Sequence, residues 1–184
     1  MGSGLCFSAW QKALSRYDIP SGQLLVTHNE INSPIEKPVL KDALRECIKW
    51  GIVPVINEND ALSIEELAKL AYGGDNDGIA GHIAELLGAT TLIIFTGKGG
   101  LIDESGEEVR VLSDDRYDWA KKLVSSRQRR EDPRKKGRGG MASKLHVCHK
   151  YAALGIRSFI AQAGSPIDMV LEGETGTEIV AKAA

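Results

Sequence analysis

The chain has 184 residues, of which 42% are hydrophobic and 26% are charged, and its formal net charge is -2. A chain of this length and composition can bury one sizeable hydrophobic core, so we expect a single soluble domain. Its apolar runs stay far below the roughly 20 residues of a membrane-spanning helix, and residues 1–4 lack the charged region of a secretion signal. We therefore expect a cytoplasmic protein without a membrane partner.

The cysteines and histidines bear on disulfide and metal sites. Cys6, Cys47 and Cys148 are an odd number of cysteines without CxxC spacing, and the four histidines form no ligand pattern with them. We expect neither a disulfide framework nor a zinc site, and we assign no residue to a metal.

Segments with helical and strand periodicity alternate along the chain. Helices are predicted where apolar residues recur every three or four positions, and strands where short apolar runs rich in β-branched residues occur. In chain order these are helix 5–16, strand 23–27, helix 40–50, strand 52–56, helix 77–87, strand 91–95, a surface hairpin of 99–103 and 108–112, helix 115–124, helix 142–154 and strand 158–161.

The predicted strands are continuously apolar, as residues 52–56 and 92–95 illustrate. Such strands are typical of a parallel sheet that is buried by helices on both faces. The sequence therefore predicts an α/β fold, namely a three-layer α/β/α sandwich with a mainly parallel sheet. Ligands of such sheets bind outside the carboxyl ends of the strands, so site residues are expected there.

Four polar residues, Asn57, Glu58, Asn59 and Asp60, follow the predicted strand 52–56. Their side chains can hold the amino and carboxylate groups of a small polar ligand. The alternative is a strand-to-helix turn in which Asn and Asp make local backbone hydrogen bonds.

Residues 73–78 place Asp75, Asn76 and Asp77 between glycines at the start of a predicted helix. Glycines allow a ligand to approach the backbone closely, and two carboxylates beside an amide suit a substrate or cationic groups. The alternative is ordinary helix capping by Asp or Asn.

Residues 137–144 lead from a glycine-rich loop into a helix that carries Lys144 in its first turn. Amides at a helix N-terminus attract phosphate oxygens, and a lysine adds a full positive charge. The segment differs from a P-loop, because Lys144 follows Gly140 only after three intervening residues. Taken alone it is equally compatible with a glycine-rich loop of no special function.

In this order and spacing, residues 57–60, 74–77 and 139–144 resemble the motifs of glutamate 5-kinases, which belong to the amino acid kinase superfamily. The resemblance runs from residue 24 to residue 179. It implies phosphorylation of the side-chain carboxylate of glutamate to glutamyl 5-phosphate, the first step of proline biosynthesis. ATP and Mg²⁺ are the implied cofactors, glutamate and ATP the small-molecule partners, and a homo-oligomer the expected assembly.

The resemblance also implies residue roles. Asp60 and Asn76 would bind glutamate, and Asp77 would orient the catalytic lysines. Lys144 would stabilise charge on the transferred phosphoryl group, in keeping with the electrostatic character of phosphoryl transfer. The residues implied in nucleotide binding are Thr96, Gly97, Gly139, Gly140, Met141, Ala142, Ser143 and Lys144.

Several family features are not found in this sequence. The N-terminal phosphate-binding strand, the serine-glycine-alanine substrate loop and the C-terminal RNA-binding-like module are missing, and Gly97 stands where the family usually has aspartate. We therefore expect residues 1–184 to be an amino acid kinase domain that lacks its N-terminal strands, and to be inactive or very weak alone. Two alternatives remain open: a superfamily kinase with another acceptor, and a non-catalytic, partner-dependent remnant.

Residues 127–138 hold seven of the 23 Lys and Arg residues. A solvated loop is one interpretation, closure over the nucleotide phosphates a second, and nonspecific polyanion binding a third. The segment contains no aromatic residue on which bases could stack. A nucleic-acid partner is therefore not expected.

Overall fold

The computed structural model describes residues 2–59, 76–131 and 140–182. The chain forms two compact units, Met1–Ile79 and Ala80–Ala184. Three of the four strand pairs in the described residues are parallel. The predicted α/β class with mainly parallel pairing is confirmed.

The first unit contains a two-stranded parallel sheet and three helices. Strands β1 and β2 pair in register, with Ser21 opposite Val53 and Val26 opposite Glu58. Its elements are α1 (Gly2–Leu14), β1 (Ser21–Val26), α2 (His28–Asn32), α3 (Glu36–Lys49) and β2 (Val53–Glu58), and the boundary between the units falls within α4 (Asn76–Leu87).

Helix α3 begins four residues earlier than the predicted start at residue 40. Pro38 lies in its first turn, where a missing backbone N–H leaves no intrahelical bond unmade. Glu36 in the first turn and Lys49 in the last complement the helix dipole. Leu40 and Leu44 are buried one turn apart, so they anchor this helix in the first unit's core.

The second unit contains a four-stranded sheet in the order β3-β5-β6-β4. Strands β3 and β5 are parallel, β6 runs antiparallel to β5, and β4 is parallel to β6. Its elements after α4 are β3 (Thr91–Thr96), β4 (Val111–Ser113), α5 (Tyr117–Glu131), α6 (Met141–Ala152), β5 (Arg157–Gln162), α7 (Ile167–Leu171) and β6 (Thr177–Val180).

Apolar side chains cover both faces of this sheet. One cluster joins Ile160 and Ile94 of the strands to Leu123 of α5 and Leu145 of α6. On the other face Phe159 and Ala161 pack with Val170 of α7. The second unit therefore has the layered helix-sheet-helix arrangement that its continuously apolar strands predict.

Two sequence predictions need correction. The hairpin 99–103/108–112 is only an isolated bridge between Ile102 and Glu108. Residues 111–113 instead join the sheet beside β6, because Leu112 buries its side chain there opposite Ile179. Strand β2 continues through Glu58 rather than ending at residue 56, since Asn57 and Glu58 keep pairing with β1.

No helix in residues 2–59, 76–131 or 140–182 combines the length and apolar character needed to cross a bilayer.

Candidate functional site

Two predicted nucleotide segments lie toward the same edge of the second unit's sheet. Strands β3 and β5 end side by side at Thr96 and Gln162. Helix α6 runs back along β5, since Cys148 contacts the Phe159 carbonyl and the Tyr151 carbonyl accepts a hydrogen bond from Ile156. The first turn of α6 therefore lies toward the carboxyl ends of these strands, where parallel sheets bind ligands.

The loop after β3 is fixed by a side chain of its own strand. The Thr96 hydroxyl donates to the Gly99 carbonyl at 2.7 Å and accepts from the Lys98 amide at 3.1 Å. Gly97 lies exposed inside this turn, and Gly99 has a φ of +90°, which favours glycine. Thr96 thus shapes the loop, and a role for Thr96 and Gly97 in nucleotide binding stays a prediction.

Gly140 is the N-cap residue of α6 and has an extended conformation, with φ -80° and ψ -177°; as a glycine it supplies no side-chain cap. The Ser143 and Lys144 amides donate to the Gly140 carbonyl at 3.1 and 3.3 Å. The Met141 and Ala142 side chains pack against the core of the second unit. Any ligand contact of these two residues would therefore come from their backbone amides, which precede the first intrahelical bonds.

Lys144 is half-buried in the first turn of α6. Its position near the uncapped helix start combines a full positive charge with the positive end of the helix dipole. Ser143 is half-buried beside it. Gly139 lies outside the described residues. A role of these backbone amides and of the Lys144 ammonium group in binding phosphate stays a prediction.

The polar residues that follow residue 56 belong to the first unit. Asn57 and Glu58 lie in the last part of the strand, Glu58 is buried, and the Asn59 amide donates to the Val26 carbonyl at 2.8 Å. Asp60 lies outside the described residues. The turn interpretation therefore does not fit Asn57 and Glu58, whose backbone is extended.

Asn76 and Asp77 open helix α4. Asn76 is exposed and Asp77 is half-buried. An acidic side chain in the first turn of a helix interacts favourably with the helix dipole. Asp77 therefore stabilises α4, whether or not it also binds a ligand. The substrate and orienting roles of these two residues stay predictions.

The carboxyl end of β1 carries a second carboxylate, on Glu30. The Thr27 amide donates to Glu30 Oε2 at 2.6 Å, and the Thr27 hydroxyl donates to the same oxygen. This hydroxyl is the main cause that lowers the pKa of Glu30 below its ordinary 4.5, and burial opposes it. The bond from the Thr27 amide to the Glu30 carboxylate is one of the two reciprocal bonds of a capping box, and it lies at the start of α2.

Glu108, in the second unit, contacts the loop after β3, and no sequence pattern pointed to it. Its carboxylate accepts hydrogen bonds from the Gly100 amide at 2.9 Å and the Gly176 amide at 3.0 Å. Arg110 contacts it as well, at 2.5 Å. Since Gly176 is 68 residues away in the sequence, no local pattern reveals the contact.

Arg127, the first basic residue of segment 127–138, has a structural role. Its guanidinium donates to the carbonyls of Ile102 at 2.7 Å and of Asp103. Trp119 adds a hydrogen bond to Glu104 at 3.0 Å. Helix α5 thus holds the turn after the β3 loop, while residues 132–138 lie outside the described part of the chain.

Within residues 2–59, 76–131 and 140–182, no group of three or more His, Cys, Asp or Glu side chains could hold a metal ion. The three cysteines are free thiols.

The family model described as amino acid kinase family matches residues 1–162, which include both compact units in whole or in part. The chain belongs to the amino acid kinase family. Curated relatives named glutamate 5-kinase extend the similarity. The one from Parasynechococcus marenigrum is 31% identical over 180 residues, covering 95% of this chain and 49% of the relative.

Two further relatives agree with the first. The glutamate 5-kinase of Stutzerimonas stutzeri is 32% identical over 173 residues, which are 89% of this chain and 42% of the relative. The glutamate 5-kinase of Halorhodospira halophila is 31% identical over 180 residues, which are 91% of this chain and 44% of the relative. The resemblance found in the motifs is therefore confirmed. This amino acid kinase chain spans about half the length of the curated relatives it matches.

Proposed function

We propose that this chain is part of an ATP-dependent kinase that phosphorylates the side-chain carboxylate of glutamate. The observation that carries the proposal lies in the second unit. The uncapped first turn of α6, with Lys144, lies toward the same sheet edge as the Thr96 loop. Amides, a helix dipole and a lysine suit the phosphates of a nucleotide, and family membership selects ATP.

The proposed chemistry depends on position and charge. In phosphoryl transfer the developing charge spreads over three equatorial oxygens, and the protein performs little covalent work. Lys144 would stabilise that charge, and the backbone amides of residues 140–142 would hold the neighbouring phosphate oxygens. Asp77 would orient the lysine, and Asp60 and Asn76 would hold the amino acid.

Magnesium would supply positive charge that neutralises the ATP phosphates in such a reaction. The described residues offer no three-residue cluster for a metal ion. No protein ligand of magnesium is part of this proposal. The site's own contribution is the amides and the ammonium group.

Nucleotide binding is the first test. The purified 184-residue chain is titrated calorimetrically with ADP, with and without magnesium. We expect weak, magnesium-dependent binding. A folded chain that ignores ADP under both conditions would remove the basis for the proposal.

The acceptor is tested separately by trapping acyl phosphates with hydroxylamine. Glutamate is compared with aspartate and N-acetylglutamate. Product with glutamate supports the proposed reaction, and product with another acid favours a superfamily kinase of different specificity. Nucleotide binding without product from any acid is the result expected of residues 1–184 alone under both the kinase proposal and the non-catalytic alternative, so only product formation decides between acceptors.

A further inference from the structure

Three segments of the second unit meet at one carboxylate. Glu108 Oε1 accepts from the Gly100 amide in the loop after β3, and Oε2 accepts from the Gly176 amide just before β6. The same Oε2 contacts the Arg110 guanidinium at 2.5 Å. The Glu108 side chain is 20% exposed, so its two bonds to backbone amides are partly shielded from water. The Arg110 side chain is 50% exposed, so its ion pair contributes little.

The backbone at this junction is shaped for the carboxylate. A β-carbon at Gly100 would lie 2.9 Å from Glu108 Oε1 and 2.4 Å from the Thr177 hydroxyl oxygen. At Gly176, where φ is +81°, it would lie 2.8 Å from the Ile160 carbonyl oxygen. Only glycine fits both places, so the two amides can approach one side chain.

A carboxylate suits this junction better than an amide group. Both of its oxygens accept, so it serves two backbone N–H groups and a guanidinium together. In glutamine the terminal NH₂ group would face one of these partners, and both groups would be hydrogen-bond donors. Loss of the charge therefore disrupts the junction even when the size of the side chain is kept.

The junction fixes one flank of the loop and Thr96 fixes the other. The Thr96 hydroxyl closes the turn onto Gly99 at 2.7 Å, and Glu108 holds Gly100. Gly97 and Lys98 remain as the exposed tip between the two fixed points. A loop held in this way needs little further ordering when a ligand binds, which lowers the entropic cost of binding.

We propose that Glu108 is a positioning residue for nucleotide binding, acting through the Gly100 amide on the loop that carries Thr96 and Gly97. The inference rests on the proposed nucleotide site. Glu108 itself is not proposed to touch the nucleotide. It sets the conformation of the loop and joins it to the segment before β6.

The test uses the 184-residue chain and calorimetric titration with ADP and magnesium. Glu108→Gln should weaken binding about tenfold, corresponding to about 1.4 kcal/mol. Glu108→Asp, which keeps the charge but shortens the reach, should lie between wild type and Glu108→Gln. Amide hydrogen exchange should accelerate at Gly100 and Gly176 in both variants.

Two matched controls separate positioning from general stability. Thr177→Val removes the buried hydrogen bond from the Leu101 amide at 2.8 Å, and Arg110→Ala removes only the guanidinium. Both should keep ADP affinity within about twofold, even if Thr177→Val lowers the melting temperature as a lost hydrogen bond does.

The outcomes are distinguishable. Wild-type affinity in Glu108→Gln, with faster exchange at Gly100, would mean that the junction is structural only and would overturn the inference while the nucleotide site stands. Equal weakening by Thr177→Val would do the same. Failure of the wild-type chain to bind ADP would overturn the proposed function, and this inference with it. Should Glu108→Gln not fold, the intermediate affinity expected of Glu108→Asp decides.

Discussion

The aromatic ring of Tyr151 occupies the place where a β-carbon of residue 81 would lie. A β-carbon on Gly81 would be 2.0 Å from Tyr151 Cε2 and 2.4 Å from Cδ2. The ring is fully buried and also meets His82 edge to face, at 6.0 Å between centroids. Helices α4 and α6 therefore approach closely only because residue 81 has no side chain.

We expect Gly81→Ala to destabilise the protein, although alanine favours helices over glycine. A buried aromatic ring must shift to admit the methyl group, and such overpacking costs about 1–3 kcal/mol. Chemical denaturation followed by circular dichroism measures the change.

Gly4→Ala is the matched control, because Gly4 also lies in a helix but has no atom within 4 Å of the place that a methyl group would take. It should stabilise the protein by roughly 0.5–1 kcal/mol, the helical preference for alanine. Equal effects at both positions would contradict the packing argument.

The sequence predicted what local patterns encode. Continuous apolar runs located β3 and β5, and the spacing of Leu40 and Leu44 located α3. Strand β6 was missed, because it has only four residues and is defined by its antiparallel pairing with β5, which the sequence pattern does not show. Arrangements set by distant partners are invisible to periodicity.

The same limit applies to the candidate site. Thr96, Gly97 and residues 140–144 could be selected because their motifs are contiguous. Glu108 could not, since its partners are 8 and 68 residues away. The packing of Met141 and Ala142 against the core was equally hidden, because it depends on how α6 lies on the sheet.

Glu30 should make stability fall at acid pH. Its folded-state pKa is lowered, chiefly by the Thr27 hydroxyl, so its contribution to the unfolding free energy is present above pH 4.5 and is lost as the pH falls through the folded-state pKa. Urea unfolding at neutral pH and at pH values below 4.5 measures the slope.

Variants of the pair identify the source of this slope. Thr27→Val should reduce it, and Thr27→Ser, which keeps the hydroxyl, should preserve it. Glu30→Gln should remove this contribution altogether. An unchanged slope in Glu30→Gln would assign the acid sensitivity to other carboxylates.

Lys144 should distinguish nucleotides by their terminal phosphate. If its ammonium stabilises the transferred group, Lys144→Met should weaken a non-hydrolysable ATP analogue more than ADP, by about tenfold relative to wild type. Calorimetric titration with both nucleotides measures the difference.

Lys150→Met provides the control in the same helix. Lys150 lies in the last turn of α6, with its ammonium 4.9 Å from the Tyr151 ring centroid. This substitution removes the same charge at the opposite end and should leave both affinities unchanged. A parallel loss for both nucleotides in Lys144→Met would indicate general electrostatic attraction instead.

The first unit exposes an apolar surface that should drive self-association. Ile35 and Val39 are 79% and 68% exposed, and they line an open groove of about 430 Å³ with Leu25 and Leu40. Apolar surface of this kind favours association in water. Sedimentation velocity over a range of concentrations should therefore give an average mass above that of one chain.

Val39→Lys should shift this mass toward the single chain. Ile167→Lys, which changes a 57% exposed residue of α7 in the second unit, should not. Equal shifts from both substitutions would attribute association to hydrophobicity at large instead of to this groove.

The contacts that hold the β3 loop also determine when the loop becomes ordered during folding. Gly176 reaches Glu108, the carboxylate that holds Gly100, across 68 residues. Contacts of such separation require large loops to close and are among the slower events of folding. Strand β3 pairs with β5 (Arg157–Gln162), which is synthesised before residue 176, so the restraint from Gly176 is added only after that later segment has been made. The β3 loop would then be able to bind a ligand only after the second unit has folded as far as β6. Synthesis of the loop's own residues would not be enough.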